Sequence, residues 1–136
     1  MLFPRAEARP KQAQTQGQGT GQAKVDEKMF PTGVTWSLQT LNGKQITDPP
    51  SLKIDENFRA TGYSGCNTFS AALYPVRGMR LAMGPIATTR KQCAADRMLL
   101  ERAYLTILHS GPSWDVAGSG LTVKSPAGSL DFKRGF

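Results

Sequence analysis

The sequence predicts a mainly β fold (α+β): seven or eight short strands forming an antiparallel sheet that curls on itself, with one inserted helix. Three observations lead there. From Trp36 onward, apolar residues alternate with polar ones at period two through most of the chain. Clusters of turn-forming residues separate these stretches at short intervals. A single segment, about 94–109, changes to helical spacing.

Residues 1–28 stand apart. Between Pro4 and Lys24 there is no Val, Ile, Leu, Met or aromatic residue, and the middle of the stretch is low-complexity Gln, Gly and Thr. Such a composition buries too little apolar surface to offset the entropy of ordering, so it reads as a disordered linker. Its first residues end in Ala6-Glu7-Ala8, the small-residue pattern of an export-signal cleavage site. A charged start and a full apolar core are missing, so the segment is either the remnant of an export signal or a coincidence. The folded domain is expected over residues 29–136.

Within it, Trp36 and Leu38 face one way between Thr35, Ser37 and Gln39. Leu52 and Ile54 repeat the pattern, as do Phe69, Ala71 and Leu73, then Met79, Leu81 and Met83. After the helix come Trp114 and Val116, Leu121 and Val123, and Leu130 and Phe132. The breaks carry Asn42-Gly43, Asp48-Pro49-Pro50, Asp55-Glu56-Asn57, Arg77-Gly78, Gly118-Ser119-Gly120 and Pro126-Ala127-Gly128. In the helical segment Met98, Leu99, Leu100, Ala103, Tyr104, Ile107 and Leu108 form an apolar stripe expected to join the core over one end of the sheet. Asp96 suits its first turn and Gly111-Pro112 stops it.

The bulk numbers exclude several classes. No apolar run approaches the roughly 20 residues of a membrane-spanning helix. The net charge is +7; residues 1–28 hold five basic and three acidic side chains, and the rest hold twelve and seven. The cations are scattered singly, with only Arg90-Lys91 and Lys133-Arg134 adjacent in the domain, so no nucleic-acid partner is expected. Peripheral contact with an anionic membrane surface fits the charge equally well, and plain solubility fits it better.

Candidate chemistry is sparse, and no enzyme activity, metal or cofactor is expected. His109 sits at the helix C-terminus, where a protonated imidazole favours the dipole, and no nucleophile pairs with it. Gly62-Tyr63-Ser64-Gly65 has the wrong offset for a nucleophile elbow. The acidic residues do not group at metal-ligand spacing. The two cysteines, Cys66 and Cys93, are too few for a zinc or iron–sulfur site and too far apart for a local redox motif. They leave one disulfide or two inert thiols.

Each cysteine lies in a short motif. The first is Gly62-Tyr63-Ser64-Gly65-Cys66-Asn67; the second runs from Thr89 to Cys93 immediately before the helix. Gly65 and Asn67 suit positive φ at a sharp entry into a strand, and the Thr89 hydroxyl is expected to bond the chain near the helix start. Together Gly62, Gly65, Asn67 and Thr89 read as a structural clasp around the cysteines rather than a binding site.

Those motifs, the opening Trp36-Ser37-Leu38, and the closing Gly120-Leu121-Thr122-Val123 and Gly128-Ser129-Leu130-Asp131-Phe132 resemble the META/HslJ family of bacterial envelope-associated domains. The resemblance runs from about Val34 to Phe136. Lys91-Gln92 and Ala94 flank the second cysteine where the family often has Met-Ala and Pro. The resemblance implies a small, partly open antiparallel β-barrel with an inserted helix. It also implies an exported, periplasmic or envelope-attached protein, in some members linked to heat shock or novobiocin resistance, with no catalytic activity. In an exported protein a Cys66–Cys93 disulfide is expected; closing that loop is worth roughly 3.5 kcal/mol on chain entropy. The leading expectation is a monomeric, non-enzymatic, stress-related envelope domain that binds a partner protein or apolar ligand. A small lipid-carrying barrel and a secreted hydrolase inhibitor, with Tyr63 or Arg77 as its anchor, are the alternatives.

Overall fold

Among the described residues, ten strands and one helix follow one another. The computed structural model describes residues 27–135. The strands are β1 (Thr35–Leu41), β2 (Lys44–Gln45), β3 (Ser51–Ile54), β4 (Arg59–Tyr63), β5 (Thr68–Val76), β6 (Arg80–Met83) and β7 (Ala87–Thr88). Helix α1 (Ala95–His109) then precedes β8 (Ser113–Ala117), β9 (Gly120–Ser125) and β10 (Gly128–Arg134).

Eight strands form a closed antiparallel barrel in the order β1-β3-β4-β5-β6-β8-β9-β10, and β10 returns to pair with β1. The closing ladder runs from Trp36 opposite Arg134 to Leu41 opposite Leu130, with a register shift between Leu38 and Thr40. Strands β2 and β7 are short additions on β1 and β5. The ring is thinnest between β6 and β8, where Arg80 opposite Ser113 is the one registered pair. Two backbone bonds flank it, from Leu81 N–H to the Pro112 carbonyl (2.8 Å) and from Trp114 N–H to the Met79 carbonyl (2.9 Å). The partly open barrel that the resemblance implied is closed into a full ring, with this seam as its weakest span.

The alternation read from the sequence is the inside and outside of the barrel. Trp36, Leu38, Leu52, Ile54, Phe69, Ala71, Leu73, Leu81, Trp114, Leu121, Val123, Leu130 and Phe132 are all buried. Met79 is a turn residue at φ 55° rather than a strand residue, and it packs only partly against the core beside Met83 and Val116. Helix α1 lies over the end from which the loops around Asp48, Gly65 and Gly128 emerge: Arg97 reaches Asp48, Leu100 faces Gly65, and Ile107 faces Gly128. Its Tyr104, Ile107 and Leu108 enter the core, and the Tyr104 ring meets Phe69 and Phe132 edge-on at 6.0 and 6.2 Å. Leu99, expected in that stripe, points outward and is 61% exposed, because it lies on the helix face away from the barrel.

The expected tail lies mostly outside the described residues, as does Ala6-Glu7-Ala8. At its end, the Lys28 ammonium pairs with Asp115 at 2.8 Å and bonds the Val116 carbonyl. Phe30 then packs edge-on against Trp114 at 4.9 Å.

A disulfide and asparagine clasp as candidate functional site

The loop between β4 and β5 turns within four residues, and glycine makes that possible. Gly65 adopts φ +106°, where a side chain is strained, and a Cβ there would stand 2.8 Å from Leu100 of α1. Gly62 has a different reason: a Cβ on it would fall 2.2 Å from the Ser51 carbonyl oxygen, so only glycine lets β3 and β4 approach there. Ser64 N–H closes the turn on the Asn67 carbonyl at 2.7 Å.

Cys66 leaves this turn buried and is bridged to Cys93, with the two Cα atoms 6.0 Å apart. The bridge ties the turn to the segment that leads into α1. Beside it, Asn67 (3% exposed) saturates its amide. Its Oδ1 accepts from Lys91 N–H (2.6 Å) and the Thr89 hydroxyl (2.8 Å). Its Nδ2 donates to Glu101 Oε1 at 3.0 Å, and its backbone N–H faces Ser64 Oγ and the same Glu101 oxygen at 3.1 and 3.2 Å. The buried Ser64 hydroxyl contacts both Glu101 and the Asn67 carbonyl.

Arg97, one turn before Glu101, completes the clasp from above. Its guanidinium donates to the carbonyls of Gly65 and Thr47, both at 2.9 Å, and to that of Asp48. The Tyr63 hydroxyl stands within donation distance of the Gly65 carbonyl (2.9 Å) and Asp48 Oδ2 (3.0 Å). The disulfide, an amide, a carboxylate and a guanidinium thus lock three loops to one helix.

Two expectations about these residues change. Asn67 is not at positive φ; a buried amide with donors and acceptors on both sides fills this corner, and that requirement outweighs backbone tolerance. Thr89 does not bond the chain at the helix start. Its hydroxyl donates to Asn67 Oδ1 and accepts from Thr68 N–H at 3.2 Å, because β7 runs alongside β5 there. Ser64, Arg97 and Glu101 were not read from the sequence as members. A signal existed: Arg97 and Glu101 are spaced with Tyr104 and Leu108 along one helix face, so a polar pair extends the buried stripe.

Chemically the arrangement is closed. Both sulfurs are in the bridge, and the polar atoms of Asn67 are directed at protein partners. Among the described residues, no group of three or more His, Cys, Asp or Glu side chains could hold a metal. Next to the clasp the outer sheet surface bears an open groove of about 660 Å³, lined by Thr61, Tyr63, Thr68, Ser70 and Thr89 among others.

The family model of the META domain matches residues 29–134. The chain belongs to the META domain family. This META domain is also similar to an NMR structure of a protein 27% identical to it, with TM-score 0.64, covering 74% of this chain and 87% of that one. A second NMR structure, of a protein from Burkholderia xenovorans, is 18% identical with TM-score 0.60, covers 93% of this chain and 99% of that one, and shares the fold. No curated protein matches the chain.

Proposed function

We propose that this META domain is a non-enzymatic contact module of the cell envelope, exported and active as a rigid surface. The observation that carries the reading is the closed clasp. The sulfurs of both cysteine motifs are bridged to each other, and the Ser64 hydroxyl and the Asn67 amide are directed at the Glu101 carboxylate of α1 and at neighbouring backbone groups. A bridged pair supports an oxidising compartment, since disulfides persist outside the reducing cytosol. The barrel interior is filled by Trp36, Phe69, Tyr104, Phe132 and their aliphatic neighbours, which argues for an outer-surface role over the lipid-carrier alternative.

Thiol trapping in intact cells of the native host, combined with fractionation, tests this reading. The expected result is a protein in the envelope fraction with no alkylatable thiol until it is reduced. A cytosolic protein with both thiols reactive would overturn it.

A further inference from the structure

Among the described residues, five large apolar side chains are exposed: Met29, Phe58, Tyr74, Val76 and Leu99. Leu99 is on the helix; Tyr74, Val76 and Phe58 lie on or beside the second half of β5, and Met29 lies in the segment that enters along β8. Tyr74 and Val76 alternate outward on β5, 44% and 40% exposed. The Phe58 carbonyl accepts from Leu73 N–H, which places Phe58 beside that strand. Two residues before Met29, the Glu27 carboxylate faces Gly78 N–H in the turn itself. Phe58 also holds φ +59°, a costly conformation for a bulky residue.

Cations interleave with this patch. Arg80, whose Nε and Nη2 donate to the Gly111 carbonyl at 3.1 and 2.6 Å, stands opposite Val76; Arg59, with Nη2 3.4 Å from Ser70 Oγ, stands opposite Ala72; Arg77 occupies the turn. The row containing Val76 and Arg80 continues through Ser113 to Lys124. Arg80, Ser113 and Lys124 are among the residues lining an open groove of about 320 Å³. Of the neighbouring acids, Asp115 pairs with Lys28, Glu27 accepts from Gly78 N–H, Asp55 accepts from the N–H groups of Asn57 and Arg59, and Glu56 is exposed in the turn before Phe58.

We propose that this face docks on an anionic phospholipid surface, with Tyr74 and Val76 at the headgroup boundary and Arg77 and Arg80 among the lipid phosphates. An amphipathic tyrosine ring suits that boundary, and guanidinium groups suit phosphate oxygens. A free phosphate ion would use the cations and make nothing of the exposed apolar ring around them. The inference rests on the contact-module reading and names its surface and partner class.

Flotation of the full chain with vesicles of phosphatidylcholine, with and without phosphatidylglycerol, tests it. Binding is expected only to the anionic vesicles and is expected to weaken with added salt. Arg77→Gln with Arg80→Gln should lower partitioning about 30-fold, and Tyr74→Ser with Val76→Ser should lower it about tenfold. Lys44→Gln with Lys133→Gln removes the same charge elsewhere on the barrel and should leave binding unchanged. Thermal melts confirm that each variant folds, and the salt response of the unaltered protein stands independently of them. Absence of binding, equal binding to neutral vesicles, equal loss in the Lys44 and Lys133 variant, or indifference to the Tyr74 and Val76 change with equal capture by soluble polyphosphate would each overturn the proposal. If docking fails while thiol trapping finds a bridged envelope protein, the contact-module reading stands and only this surface is lost.

Discussion

Replacing Asn67 with aspartate changes one amide into a carboxylate and turns the centre of the clasp against itself. The carboxylate oxygen that takes the place of Oδ1 keeps its donors, Lys91 N–H and Thr89, but the other faces Glu101 Oε1 where Nδ2 stood at 3.0 Å. Two full charges at that distance repel by about 5.5 kcal/mol at an effective dielectric near 20. The pair escapes that cost by taking up one proton, which at pH 7 costs about 4 kcal/mol for a carboxyl of ordinary acidity. Because Glu101 is only partly buried, Asn67→Asp should lose about 3 to 4 kcal/mol at neutral pH. The sign with pH follows. The folded pair holds a proton that unfolded carboxylates release, so its pKa is raised on folding. The deficit relative to the unaltered protein is therefore small below about pH 4, grows as pH rises, and levels off above the raised value. Adding Glu101→Gln removes the repulsion and supplies an amide donor to the new carboxylate, so the double variant should recover at least about 2 kcal/mol relative to additivity. Urea unfolding followed by the fluorescence of buried Trp36 and Trp114, at about pH 7 and about pH 4, measures all of this. A loss under about 1 kcal/mol that is the same at both pH values, or a double variant no better than Asn67→Asp, would refute the network.

Gly65→Ala should cost about 2 to 3 kcal/mol through positive φ and the Leu100 clash, and Leu100→Ala should relieve only the steric part in equilibrium unfolding. Removing the bridge with Cys66→Ala and Cys93→Ala should cost about 3.5 kcal/mol; a loss below about 1 kcal/mol would mean the clasp holds without it. Burial pushes the Tyr104 phenol well above its usual value, so stability should fall as pH rises past about 10, where the unfolded phenol ionises. Tyr104→Phe should flatten that alkaline limb while costing about 1 kcal/mol, the bond to the Ser51 carbonyl. The Lys28 hydrogen bond lowers the Asp115 carboxyl below its ordinary range; its contribution is present above the unfolded value and fades as pH falls through the folded one. In an NMR titration, Lys28→Met should return Asp115 to the ordinary carboxylate range.

Much of this architecture was legible one residue at a time. Alternation at Trp36 and Leu38, or at Leu121 and Val123, states which side chain leaves water, and that depends on the chain's local period alone. Strand β4 escaped notice because Ala60 is its one fully buried side chain, between Arg59 and Thr61, and a lone methyl is a faint apolar signal. Strands β2 and β7, two residues each, are too short to show any period.

Local patterning was enough to assign the inward and outward faces, most of the turns, and the helix and its stop. It took the packed barrel to show that β1 meets β10 to close the ring and that Asn67 answers to Glu101, while the bridge from Cys66 to Cys93 is the one the family resemblance implied. The physical reason is range. Burial preference is written into each side chain and its neighbours, whereas a hydrogen-bond partner far along the chain is chosen only when packing has already brought the two together.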